Sequence, residues 1–74
     1  MNISTKIRYR IAYYGDDKTL GWYAEKEMFI PLGMRLYVTT WDNLEDAMQE
    51  MRRVKKLASG WWDRIFIDSF SVIA

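Results

Sequence analysis

Ile3-Ser4-Thr5-Lys6-Ile7-Arg8-Tyr9-Arg10-Ile11-Ala12-Tyr13-Tyr14 alternates along almost its whole length. Ile3, Thr5, Ile7, Tyr9, Ile11 and Tyr13 point one way, and Ser4, Lys6, Arg8, Arg10 and Ala12 the other. A period of two over so many residues is the signature of a half-buried strand. Gly15-Asp16-Asp17-Lys18 has turn chemistry, and a second β-prone stretch covers residues 22–30. The two make a hairpin whose expected register sets Arg10 against Glu25 and Arg8 against Glu27. On the opposite face that register matches Ile7 with Met28, Ile11 with Ala24 and Tyr13 with Trp22.

Outward from the hairpin, Ile30-Pro31-Leu32-Gly33 suits a tight turn, since proline pre-sets its own φ there. A third strand over 34–40 would put Leu36 and Val38 on the core side and Arg35, Tyr37 and Thr39 on the other. Asp42 then caps a helix, with Glu45 in the capping-box position. Its apolar face is Leu44, Ala47, Met48, Met51, Val54, Leu57 and Ala58, and Gly60 is a natural stop. Acids lie early in this helix and bases late, the order that the helix dipole favours. A last strand covers 64–73, with a bulge near Ser69 where the alternation changes phase. The fold class is therefore α+β, a single domain over 1–74 with element order β-β-β-α-β. One helix packs on one face of a four-stranded, mostly antiparallel sheet. The crossover through the helix is expected to be right-handed, leaving the last strand parallel to the first and third.

Composition excludes much of chemistry. The 74 residues include no histidine and no cysteine, so the usual neutral-pH base, the thiolate nucleophile and the softer metal ligands are missing. Four Trp, five Tyr and three Phe supply interface-forming area instead. A net charge of +1 selects no partner class. No apolar run is long enough to span a bilayer and no secretory leader is visible, which predicts a cytoplasmic protein, in the host cytoplasm if phage-encoded. A chain this short commonly relies on disulfides, metals or oligomerisation, so a homodimer is among the expectations.

The acid pairs Asp16-Asp17 and Glu45-Asp46 occupy a turn and a first helical turn, where structure alone accounts for them. No catalytic residue, metal ligand or cofactor is assigned; a weak calcium site at Asp42, Asn43, Glu45 and Asp46 lacks the loop spacing and glycine it would need. Candidate binding residues fall in two groups. Tyr23, Phe29, Tyr37 and Phe66, flanked by Arg8, Arg10, Arg35 and Arg64, are assigned to the sheet face away from the helix, where nothing else in the chain is expected to cover them. Arg52, Arg53, Lys55 and Lys56 form a cationic helix end suited to phosphates or an acidic surface. Trp41, Trp61 and Trp62 flank the helix, as core seals or as anchors.

The run Thr39-Thr40-Trp41-Asp42-Asn43-Leu44-Glu45-Asp46-Ala47, leading through the helix to Trp62-Asp63-Arg64-Ile65-Phe66-Ile67-Asp68, resembles a layout common among very small phage-encoded accessory proteins, including anti-CRISPR-like inhibitors. The resemblance implies a non-enzymatic inhibitor that occludes a host protein or defence complex. Two alternatives remain open: a sheet-platform nucleic-acid-binding module, in which aromatics stack on bases and cations hold phosphates, and a structural homodimer subunit.

Overall fold

The computed structural model describes residues 3–57 and 62–74. Among these residues, five strands and one helix follow in the order β1 (Thr5–Tyr14), β2 (Thr19–Tyr23), β3 (Met28–Pro31), β4 (Thr40–Trp41), α1 (Leu44–Leu57) and β5 (Ile65–Ile73), with a 3-10 turn at Trp62–Arg64. The architecture is the expected α+β, with five strands where the sequence pattern suggested four. The helix stop at Gly60, the helix-face residue Ala58, Trp61 and the side chain of Trp62 lie outside the described residues.

β1 is the centre of the sheet. β5 runs antiparallel along one of its edges in unbroken register from Thr5↔Ile73 to Tyr13↔Ile65. The other edge is shared: β2 takes Ala12, Tyr13 and Tyr14, and β4 takes Tyr9 and Arg10. Both β4 and β5 oppose β1, so they run parallel to each other with β1 between them and α1 as the crossover. The last strand, expected to run parallel to the first, lies beside it but runs antiparallel to it. The register is continuous through Ser69, so the bulge expected there is absent.

The stretch 22–30 is two strands. Ala24-Glu25-Lys26-Glu27, poor in β-formers, turns the chain back on itself; the Glu27 amide donates to the Ala24 carbonyl at 3.2 Å, and Glu27 takes a positive φ of 50°. The resulting hairpin pairs Tyr23 with Met28 and Trp22 with Phe29. Between β1 and β2 the observed pair is Tyr13↔Leu20, two residues from the expected Tyr13 against Trp22. A two-residue shift keeps every side chain on its face, so the apolar match survived while the charge match did not. Arg10 binds Asp68 at 2.7 Å, and Arg8 binds Asp42 at 2.6 Å and the Thr40 hydroxyl, so neither meets Glu25 or Glu27.

The core lies between the sheet and α1. Ile11, Trp22, Val54 and Ile65 are buried there, with Tyr13, Ala24, Phe29, Trp41, Met51 and Ile67 packed around them. The helical spacing delivers Ala47, Met51 and Val54 as expected, whereas Leu44 and Leu57, at the two ends, stay exposed. The cap is Asn43, whose side-chain oxygen accepts from the Glu45 amide at 2.8 Å. Asp42, the expected cap, is paired with Arg8 and Lys6 instead.

Residues 32–39, which include most of the 34–40 stretch expected as a third strand, are a series of turns that strap over the opposite face of the sheet. Val38 is buried there over Gly21, whose register partners Ala12 and Ile30 are buried as well. A Cβ on Gly21 would come within 2.8 Å of a Val38 methyl and 2.9 Å of Leu32, so the missing side chain is what lets the strap lie down. Thr39 fastens its end: its amide donates to the Trp22 carbonyl, and its hydroxyl accepts from the Ala24 amide, both at 2.9 Å.

Candidate functional site

With α1 on one face and the strap on part of the other, exposed apolar surface gathers at the strap's tip. Leu36, expected in the core, is 95% exposed, and Met34, Tyr37 and Met28 are about half exposed around it. Two features hold this tip in place. The Met34 amide donates to the Pro31 carbonyl and the Tyr37 amide to the Met34 carbonyl, each at 3.0 Å. The Tyr37 ring packs on Tyr23 with centroids 5.8 Å apart. Below the tip a shallow hollow of about 580 Å³ is lined by Tyr23, Met28, Phe29, Ile30, Pro31, Met34, Tyr37 and Lys26. Burial and the neighbouring Glu25 carboxylate push the Tyr23 phenol above its ordinary pKa, so it stays a neutral hydrogen-bond donor.

Beside the tip lies a second hollow, of about 200 Å³, lined by Arg8, Arg10, Arg35, Val38, Thr40, Phe70 and Val72. Two of its three arginines are engaged: Arg8 with Asp42 and Thr40, Arg10 with Asp68 and with the Phe70 ring, whose centroid is 4.6 Å from the guanidinium. Arg35 lies on the strap and also borders the apolar hollow of Gly33, Met34, Leu36 and Tyr37, joining the two surfaces.

The sequence-assigned residues are thus divided. Tyr23, Arg35 and Tyr37 come together at the strap. Phe66, opposite Ala12, shares that face farther along β5 and is 41% exposed. Phe29 borders the hollow at the strap, yet its ring packs elsewhere: the odd register of the β2–β3 hairpin reverses the alternation, turning that ring to the helix side against Trp22 and Tyr13 and bringing Met28 to the face Phe29 was assigned. Arg64 ends the 3-10 turn, near Asp16, 3.4 Å away, and Tyr13. Arg52, Arg53, Lys55 and Lys56 are carried by α1, on the other side of the sheet from the strap.

Arg53 is built into a network. It forks onto Glu50 at 2.8 and 3.0 Å and reaches Glu27 at 2.7 Å, while the indole N–H of buried Trp22 donates to Glu50 at 3.0 Å. The Arg53 hydrogen bonds, against the opposing effect of burial and with help from Trp22, hold the Glu50 carboxyl below the usual glutamate range. The helix, β2 and the strained Glu27 turn are tied together at this point.

Among the described residues, no group of three or more acids is placed to hold a metal ion. Among them, no helix is long and apolar enough to cross a membrane. Comparison of the chain with protein-family models, with curated proteins and with solved structures returned no match.

What sequence reasoning missed is the strap tip, and the signal was Gly21. A glycine inside a β-prone run marks a place where another segment approaches closely. Beside Ala12 it leaves a shallow strip on the face that charge patterning assigned to solvent.

Proposed function

We propose that this chain is a small non-enzymatic interaction module that binds a protein partner through the strap tip and thereby occludes part of the partner's surface. The observation that carries the proposal is the cluster of Leu36, Met34 and Tyr37, exposed together on a hydrogen-bonded turn whose base is packed on Gly21, with half-exposed Met28 of β3 beside them. Isolated exposed leucines are ordinary; several large apolar side chains on one held loop are the anatomy of a hot spot with its ordering entropy already spent. Arg35 beside the tip supplies orientation and on-rate toward an acidic rim. The lack of histidine and cysteine supports a non-catalytic role, as does the use of Asp42, Asp68, Glu27 and Glu50 in ion pairs. An inhibitor of a host or defence complex, the role implied by the resemblance to small phage-encoded proteins, is one form this module takes.

The nucleic-acid alternative draws on the Arg8, Arg10 and Arg35 hollow with its Phe70 ring. Asp42 and Asp68 offset two of the three charges, so it ranks second.

A photo-crosslinking amino acid at Tyr37, used in lysate of the source cells with and without nuclease, tests both. A discrete nuclease-resistant protein adduct, lost in Leu36→Asp while the unfolding free energy stays within about 0.5 kcal/mol of wild type, is the expected result. Equal crosslinking in that variant overturns the strap assignment, and an adduct removed by nuclease supports the second reading.

A further inference from the structure

Two of the sheet's outer edges, those of β3 and β5, are unlike. β3 is short, contains Pro31 and follows a turn with Lys26 at its tip, the devices that blunt an edge against another chain. β5 has none of them. It runs for nine residues, Ile-Phe-Ile-Asp-Ser-Phe-Ser-Val-Ile, without proline, lysine or bulge, and its single charge, Asp68, is already neutralised by Arg10. Among the described residues, nothing pairs with its outer side. Phe66 is 41% and Ile73 78% exposed, one near each end of this edge.

We propose that the outer edge of β5 pairs antiparallel with β5 of a second copy of this chain, about a two-fold axis at Ser69, joining the two sheets. The register follows from parity and charge. A two-fold normal to the sheet keeps faces matched, so the axis must pass through a residue pair of like number. Centring on Asp68 opposes two carboxylates and is disfavoured. Centring on Ser69 uses all nine residues. Asp68 then faces the second copy's Phe70, over which the guanidinium of that copy's Arg10 is stacked, so negative charge meets positive across the junction. Phe66 gains the second copy's Val72 as a neighbour, and Ile73 gains its Ile65. No like charges are opposed along the strand. The second copy is chosen over another strand because the same nine residues supply both the apolar ends and the complementary centre.

Ser69 is exposed and sits on the axis, so a charge there meets its own image about 5 Å away. Sedimentation equilibrium on the whole chain, from about 1 µM to about 1 mM, is expected to show a reversible monomer–dimer equilibrium. Ser69→Lys and Ser69→Asp should each weaken it by about tenfold or more, an equimolar mixture of the two should restore it, and both should keep the wild-type circular dichroism. In wild type, alternate β5 amides should become more protected from hydrogen exchange as concentration rises, a reading that holds should either variant fail to fold. The proposal is overturned by a monomer throughout that range, by a dimer indifferent to Ser69→Lys, or by one abolished by Leu36→Asp alone, which would place self-association at the strap.

Discussion

The helix and the strap cover opposite faces of one sheet by different physical means. Against α1 the sheet presents large side chains, Ile11, Trp22 and Ile65, and the helix answers with a periodic row of Ala47, Met51 and Val54. Under the strap it presents Ala12 and Gly21, and Val38 and Leu32 fill the space left by what is missing. The first cover is built from volume supplied by both sides. The second depends on the absence of volume on one side, which makes it sensitive to additions more than to deletions.

The contrast breaks most visibly at Val54, which is fully buried on the helix side. Val54→Asp leaves a carboxylate among apolar groups and should cost at least about 4 kcal/mol, enough to unfold a domain of this size. A cooperative melt near the wild-type temperature would show that α1 does not hold the sheet. On the strap side, Gly21→Val should cost about 1–3 kcal/mol by driving Val38 and Leu32 outward. Urea denaturation measures this directly, and a neutral outcome would mean that the strap is not seated on the sheet.

A finer test lies at the network joining α1 to β2. The folded-state pKa of Glu50 is lowered, so its contribution is fully present above the unfolded value of about 4.3 and is lost as pH falls through the lower folded value. Arg53 is nearly half exposed, and solvent screening limits the effect to on the order of 1 kcal/mol. Denaturation of wild type and Glu50→Gln across acidic to neutral pH should show a gap that closes toward acid. A gap independent of pH would assign the anchoring to packing of Trp22 alone.

These differences also explain what was legible in the sequence. Alternation at 3–14 and helical spacing from 44 to 58 are repeated signals, and over the described residues both elements stand where they were expected. The strap repeats nothing. Leu36 and Val38 carry the β-propensity of a strand, yet one is 95% exposed and the other is buried on the face opposite the helix, since turns impose no alternation. The turn at 24–27 is hard to read because it holds no glycine, proline or asparagine, while Glu25 and Glu27 match Arg10 and Arg8 in a strand register. That one missed turn reversed the side of Phe29, changed the direction of the last strand relative to the first and removed the partners foreseen for Arg8 and Arg10. Of the candidate site, Tyr23, Arg35 and Tyr37 were foreseen together, whereas Leu36, Met34 and Met28 became visible once the strap had a path.

The unbroken ladder between β1 and β5 has a kinetic meaning as well. Each of its pairs joins residues separated by most of the chain, so the central strand acquires its longest partner only after a large loop closes. Local events, the β2–β3 hairpin and α1, can form within microseconds, whereas closure of this ladder carries the entropic cost that places non-local β topologies in the range of milliseconds to seconds. Substitutions along β5 that weaken its pairing with β1 are therefore expected to show in the folding rate wherever that ladder forms in the transition state, while substitutions whose contacts form after the transition state should appear mainly as faster unfolding.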